Sequence, residues 1–335
     1  VEKMSYESET ISRVPALDLA NGLSEVGSMS ATADNKILQP QYRWVDNAPA
    51  SFNFGYSMTG RTSSNWAPGS EMGKTYKVDY GTDTSAASPT AGASYGLEQA
   101  FGAGNSTHGY KMGGRSNSVP GDGSETGEKF IYATDTRTSF PNYANRRYGS
   151  FMVTNGETAL YGTGGRGQPS TQLHSNTYKM SYSTETWSDI PGANDHIDQA
   201  RKAGAALASL THGYFAGGGD YPTTERSDVD KMDFSSDTMN KIPSMSLTVG
   251  GVDGNRGFSR GDAGYSMGGQ TGPGNYLSSM DKITFSTDTT SAFPSNLPDG
   301  VRSNQTMSSD SSGYATGGQG PAPSGWDRSN VSKMS

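Results

Sequence analysis

The chain has 335 residues, 26 basic and 33 acidic side chains for a formal net charge of −7, and no cysteine. Leu, Ile, Val and Phe supply only 42 residues against 45 Gly, while aromatics reach 10%, so any core is expected to be thin and aromatic. This composition excludes disulfides, thiolate metal sites and a cysteine nucleophile. It argues against nucleic acid as a partner, which needs clustered Lys and Arg, and no apolar run is long enough for a membrane-spanning helix.

The opening segment VEKMSYESET returns as TYKVDYGTDT at 75, GEKFIYATDT at 127, TYKMSYSTET at 177, VDKMDFSSDT at 229 and MDKITFSTDT at 280. A truncated copy, VSKMS, stands at 331–335. The aromatic anchors are Tyr6, Tyr80, Tyr132, Tyr182, Phe234 and Phe285, and from Tyr80 onward they stand 50 to 52 residues apart. A proline lies nine residues after each anchor, at Pro15, Pro89, Pro141, Pro191, Pro243 and Pro294. Ahead of the later copies a Tyr leads a Gly pair by three residues: Tyr110 with Gly113-Gly114, Tyr161 with Gly164-Gly165, Tyr214 with Gly217-Gly218, Tyr265 with Gly268-Gly269 and Tyr314 with Gly317-Gly318. A period of this length means a repeat architecture.

Within a unit the elements read as four short strands. Ala203–Leu210 is predicted to be an inner, nearly apolar strand, with THG as its turn and Tyr214–Gly218 as the second strand. The anchor segment alternates, with Met232 and Phe234 on one side and Lys231 and Asp233 on the other, as in a half-buried third strand. The Ser/Thr-Asp/Glu-Thr group after it is hairpin-turn chemistry. The proline then places the fourth strand at a sheet edge, because a central strand needs the missing N–H.

Four strands in about 51 residues, repeated six times, predict an all-β, six-bladed β-propeller. The order Tyr-x-x-Gly-Gly, loop, apolar-x-aromatic strand, acidic turn, proline resembles the Kelch repeat over nearly the whole chain, departing from it where Kelch repeats carry a fourth-strand Trp. Here only Trp187 lies near that place. Residues 1–335 therefore read as one propeller domain with repeats starting near 1, 75, 127, 177, 229 and 280, plus an insertion of roughly twenty residues within 16–54. Because residues 331–335 repeat 1–5, the phase reads as a segment of a longer polypeptide, with room for a seventh blade.

The tight turns between strands one and two and between three and four fall on one face. The variable loops, from strand two to three and from four to one, fall on the other. The loop face is the candidate binding surface, offering Trp66, Tyr221, Tyr276 and Trp326, and the insertion with Trp44 is expected to project from the same face. Flat aromatics among amides and hydroxyls suit a sugar ring or a protein partner. Arg201, Arg256 and Arg302, with Asp198, Asp253 and Asp299 nearby, are expected to ring the channel mouth, as salt bridges, as a cation site or as a glycosidase-like carboxylate pair. The four histidines, His108, His174, His196 and His212, suggest turn chemistry rather than a metal or a triad, and no catalytic residue, metal or cofactor is expected. Asn105, Asn304 and Asn330 head glycosylation sequons, and Arg260-Gly261-Asp262 is an integrin-type tripeptide.

At the level of the whole repeat, GYFAGGG followed by SDVDKMDFSSDT and a proline resembles Ser/Thr/Gly-rich propeller repeats of virion proteins in tailed phages of marine bacteria. The resemblance implies a place on the virion surface, in a tail-fibre-like appendage. The partners it implies are other virion structural proteins and a host-surface glycan or receptor. The expected function is a non-catalytic structural and adhesive module, the alternatives being a polysaccharide-cleaving propeller enzyme and a purely architectural virion component.

Overall fold

All five internal copies of the anchor segment form third strands in the computed structural model. It describes residues 11–13, 27–29, 54–61, 71–87, 97–115, 123–143, 145–156, 158–167, 172–190, 196–219, 225–309, 312–321 and 331–334. Among these residues the strands make six four-stranded antiparallel sheets and one three-stranded sheet. From inner to outer strand, blade 1 is Gly27–Met29, Phe54–Arg61, Glu71–Asp79 and Thr84–Ala87; blade 2 is Phe101–Gly104, His108–Met112, Gly127–Ile131 and Thr136–Phe140. Blade 3 is Phe151–Thr154, Ala159–Thr163, Thr177–Ser181 and Thr186–Asp189; blade 4 is Ala205–Ala208, His212–Ala216, Asp228–Asp233 and Thr238–Ser246. Blade 5 is Arg256–Arg260, Ala263–Met267, Met280–Thr284 and Thr289–Ala292. Blade 6 takes Gln305–Ser308, Gly313–Thr316 and Val331–Met334 from one end of the chain and its outer strand, Ile11–Arg13, from the other.

Each inner strand touches the inner strands of both neighbouring blades all the way round, Gln305–Ser308 against Gly27–Met29 included. The ring therefore closes with six blades, and the expected room for a seventh is not used. The proline expectation also holds where it can be read: Pro243 lies exposed in the outer strand of blade 4, and Pro141 follows the outer strand of blade 2. The edge strand gives up one donor there without breaking a ladder, and is blunted against a foreign strand.

The repeated residues knit one blade to the next. In blades 1, 2, 3, 4 and 6 the second-strand Tyr stacks on the anchor aromatic of the following blade: Tyr56 on Tyr132 at 5.6 Å, Tyr110 on Tyr182 at 5.3 Å, Tyr161 on Phe234 at 5.0 Å, Tyr214 on Phe285 at 4.8 Å and Tyr314 on Tyr80 at 4.9 Å. Such pairs add about 0.5–1.5 kcal/mol each beyond the area they bury. The acid of each Ser/Thr-acid-Thr turn adds a latch. Asp83, Asp135, Glu185, Asp237 and Asp288 all have φ between 51° and 53° or 56°, a left-handed conformation that Asp tolerates better than most residues. The flanking hydroxyls bond each other, as Thr287 and Thr289 do at 2.8 Å. The carboxylate thereby aims back at the preceding blade. Lys179 reaches Asp237 at 2.7 Å, Lys231 reaches Asp288 at 2.7 Å and Lys333 reaches Asp83 at 2.6 Å. Tyr161, Tyr214 and Tyr314 donate their hydroxyls to the same three acids at 2.8, 2.9 and 2.8 Å. Tyr56 and Lys77 share Asp135 in the same way, and Lys129 pairs with Glu185. Burial, and then the acid, push the hydroxyls of Tyr56, Tyr161, Tyr214 and Tyr314 up, so they remain donors.

Near the axis the sheets are tied by hydroxyls instead. Ser259 Oγ accepts the Ala208 N–H at 2.8 Å, Thr306 Oγ1 donates to the Gly257 carbonyl at 2.6 Å and Ser308 Oγ donates to the Ser259 carbonyl at 3.0 Å. These bonds satisfy the free edges of inner strands, which is one reason a chain so poor in aliphatics and rich in Ser and Thr can close a ring. The channel that remains is a cavity of about 100 Å³, lined largely by Gly, Ala, Ser and Thr.

One expectation is reversed. The inner strand of blade 1, Gly27–Met29, pairs with Tyr56–Met58 of the second strand, so the extra length of the first repeat lies between strands one and two. Its two ends, Met29 and Phe54, therefore stand at the tight-turn face, not at the loop face where the insertion was expected. Counting only from Pro15 to Gly55 could not distinguish the two sides of so short an inner strand.

Candidate functional site

The loop face is built around a backbone ring. Gln99, Gly149, Ala203, Gly254 and Ser303 occupy equivalent positions two residues ahead of the inner strands, all with φ between 51° and 75°. Gly149 N–H donates to the Gln99 carbonyl at 2.8 Å, Ala203 to Gly149 at 2.7 Å, Gly254 to Ala203 at 2.8 Å and Ser303 to Gly254 at 2.7 Å. This belt links blades 2 to 6 across the mouth of the channel.

The Gly pairs lock onto the same region. In Gly164-Gly165, Gly217-Gly218 and Gly268-Gly269 both residues have positive φ. The second glycine of each pair donates its N–H to the segment leading into the next blade: Gly165 to the Arg201 carbonyl, Gly218 to that of Val252 and Gly269 to that of Val301, at 2.8, 2.8 and 2.7 Å. A Cβ on Gly268 would stand 2.3 Å from the Val301 carbonyl oxygen, so the approach leaves no room for a side chain.

One residue before the belt, successive blades carry Glu98, Tyr148, Lys202, Asp253 and Arg302. Four of them form backbone bridges, Glu98 with Arg115, Lys202 with Gly219, Asp253 with Gln270 and Arg302 with Gln319, while Tyr148 pairs with Arg166 in the three-stranded sheet. Their side chains engage one another around the rim. Arg115 pairs with Glu98 and lies over Tyr148 at 5.1 Å, Lys202 approaches the same ring at 5.9 Å, and Arg302 donates to Gln319 Oε1 at 2.7 Å and stands 4.0 Å from Asp253. The two rim carboxylates, Glu98 and Asp253, belong to blades 2 and 5, half a ring apart.

The three arginines expected at this mouth are not equivalent. Arg201 is fully buried and bonds Asp230 at 2.6 Å and the Phe215 carbonyl at 2.9 Å. It fills a core position held by Leu97, Val252 and Val301 in blades 2, 5 and 6, and in blade 3 by a second buried arginine, Arg147, which donates to the Gly164 carbonyl at 2.9 Å. Asp198, its expected neighbour, pairs instead with Lys241 at 3.0 Å. Arg256 begins an inner strand, lines the channel cavity as expected and donates to the Asn255 carbonyl at 2.9 Å; Asp299 is exposed, and Arg302 joins the rim as expected.

Among the candidate aromatics, Tyr276 lies on the loop face. Its backbone bridges Gln270, its carbonyl oxygen sits against Gly300 at the approach to blade 6, and its side chain is half-buried. Trp44, Trp66, Tyr221 and Trp326 lie outside the described residues. Trp66, Tyr221 and Trp326 fall between second and third strands, and so between ends on the loop face, whereas Trp44 falls in the insertion whose ends are on the other face.

His108 and His212 meet Thr107 Oγ1 and Thr211 Oγ1 through Nδ1 at 2.7 and 2.8 Å in equivalent tight turns. Burial first, then Lys129 or Lys231, hold both imidazoles below the usual range. His196 Nδ1 accepts the Thr177 N–H at 3.2 Å, and no cluster of three potential metal ligands occurs among the described residues. Sequence reasoning missed the structural use of two sequon asparagines. Asn105 Oδ1 accepts the N–H groups of Thr107 and His108, both at 2.9 Å, and Asn304 is buried at an inner strand. No helix among the described residues is long and apolar enough to cross a membrane.

No family model matches the sequence, and no curated protein matches it. Among solved structures, that of YjhT is similar over 95% of this chain and 95% of its own, with a TM-score of 0.70 at 14% identity. At that identity the likeness speaks for the fold alone: the chain is a β-propeller.

Proposed function

We propose that this propeller is a non-catalytic structural and adhesive module of a phage virion appendage, presenting its loop face to a host-surface glycan or receptor. The observation that carries this reading is the contrast between body and rim. The blades repeat the same Tyr–aromatic stack and Lys–acid latch, whereas one rim position holds Glu98, Tyr148, Lys202, Asp253 and Arg302 in turn. A scaffold that holds its blades alike and varies its loops is organised for recognition. The resemblance of the repeats to phage virion propellers supplies the setting.

The test is retention of the purified protein on marine bacterial cells and their surface polysaccharide, compared with Trp66→Ala, Trp326→Ala and Tyr276→Ala. The reading requires binding that at least one of these substitutions reduces tenfold or more. Loss of polysaccharide mass during incubation would transfer support to the cleaving enzyme. Absence of binding, with the loop face covered by a neighbour in the assembled particle, would transfer it to the architectural role.

A further inference from the structure

Blade 6 has one third-strand position and the chain carries two sequences written for it. Val331–Met334 occupies that position, pairing with Gly313–Thr316 on one side and Ile11–Arg13 on the other. Three features define what the position accepts. Val331 and Met334 are buried, and Lys333 reaches across to Asp83 of blade 1 at 2.6 Å. Residues 1–4 offer the same three groups in the same order, as Val1, Lys3 and Met4.

The one difference, Glu2 against Ser332, favours the other copy. At the equivalent place blades 2, 4 and 5 carry Glu128, Asp230 and Asp281, each buried and each bonded, to Lys111, Arg201 and Thr248 respectively. In the sequence, residues 1–4 are followed by Ser8-Glu9-Thr10 and then Ile11–Arg13, the same order in which the third-strand segment, the Ser/Thr-acid-Thr group and the fourth strand of every other blade follow one another. Local pairing of that kind costs little loop entropy, whereas Val331–Met334 pairs with Ile11–Arg13 from the far end of the chain.

We propose that the third-strand position of blade 6 is an exchangeable strand-binding slot, filled by Val331–Met334 or by residues 1–4 of the same chain. Exchange keeps the ring closed, and with it the Lys latch to Asp83. It releases Val331–Met334 from the sheet. The propeller thus has two closed states that differ in which end of the chain completes blade 6.

Three deletions of the 335-residue chain test this: residues 1–5, residues 331–335, and both. The readouts are the thermal midpoint and amide-exchange protection of Gly313–Thr316. Each single deletion is expected to lose less than half of what the double deletion loses, because the remaining copy takes the slot. A synthetic VEKMS peptide is expected to restore protection to the double deletion. A single deletion that loses more than half of the double's loss, or a double deletion that behaves like the full chain, overturns the proposal. Should the double deletion fail to fold, Lys3→Ala reads the same slot. It is expected to be neutral in the full chain and to lower the midpoint in the chain lacking 331–335, and equal midpoints in that shortened background overturn the proposal.

Discussion

Asp288 separates a latch from a turn residue. Its carboxylate holds Lys231 Nζ at 2.7 Å and Tyr214 Oη at 2.9 Å from a backbone with φ 51°, with about a third of the side chain exposed. Charge-assisted hydrogen bonds contribute about 1.5–3 kcal/mol when protected and exposed ion pairs about 0.2–1, so this half-sheltered pair of bonds is worth about 2 kcal/mol. Alanine at a left-handed position adds roughly 1 kcal/mol of strain. Asp288→Ala is therefore expected to cost about 3 kcal/mol. At about 2 cal/mol/K of unfolding entropy per residue, that is a fall of roughly 4 °C in Tm for a chain of this length. Glycine fits the backbone and lacks the latch, so Asp288→Gly should cost about 2 kcal/mol. Asparagine fits the backbone and keeps neutral hydrogen bonds, so Asp288→Asn should cost about 1 kcal/mol. Urea unfolding of the three variants gives the order Asn, Gly, Ala from most to least stable. If Asp288→Gly matches or exceeds the wild type, the carboxylate serves its own hairpin alone and the inter-blade role is wrong.

Other expectations follow from neighbouring geometry. Tyr214→Phe keeps the stack on Phe285 but loses the bond to Asp288, and should cost about 1 kcal/mol, whereas Tyr214→Ala should cost about 3–5, both read by chemical denaturation. Gly261 and Gly268 share a φ of 62°, but a Cβ meets nothing within 4 Å at the first and the Val301 carbonyl oxygen at 2.3 Å at the second. Gly261→Ala should thus cost about 1 kcal/mol and Gly268→Ala at least twice that, and equal midpoints would remove the close-approach argument. Asp281 is 2% exposed, and burial holds its carboxyl above the usual range despite the Thr248 bonds that lower it. An acid raised in the folded state favours the fold in its protonated form. Its contribution therefore falls as pH rises from the ordinary carboxylate value through the raised one. The stability of Asp281→Asn relative to wild type should accordingly improve from pH 4 upward, and a flat difference across that range would contradict the assignment.

Much of the scaffold was legible because its demands are local. The Gly pairs mark positive φ, Pro243 marks an edge, and the alternation of Lys231, Met232 and Asp233 marks a half-buried strand, all within a few residues. What escaped was set by partners far along the chain. Asp288 reads as hairpin chemistry until blade 4 is seen to supply Lys231, 57 residues earlier. Arg201 reads as a rim charge until Asp230 is found beside it in the interior, where that carboxylate and the Phe215 carbonyl hold a guanidinium in a position that Leu97, Val252 and Val301 fill in three other blades. The insertion was placed on the wrong face because Gly27–Met29 is too short and too plain to announce itself as an inner strand. Of the candidate site, the loop face was readable from the repeat phase, but the rim that surrounds its axis comes from residues no motif joins.

The belt and the latches lie at opposite ends of the strands, one near the axis and the other farther out. Together they act like two straps on a barrel: a pull on one loop is shared by the belt among blades 2 to 6 and by the latches across five blade junctions, so the disc resists splaying at either end. Toughness of this kind resides in the array of blades as a whole and not in any single contact.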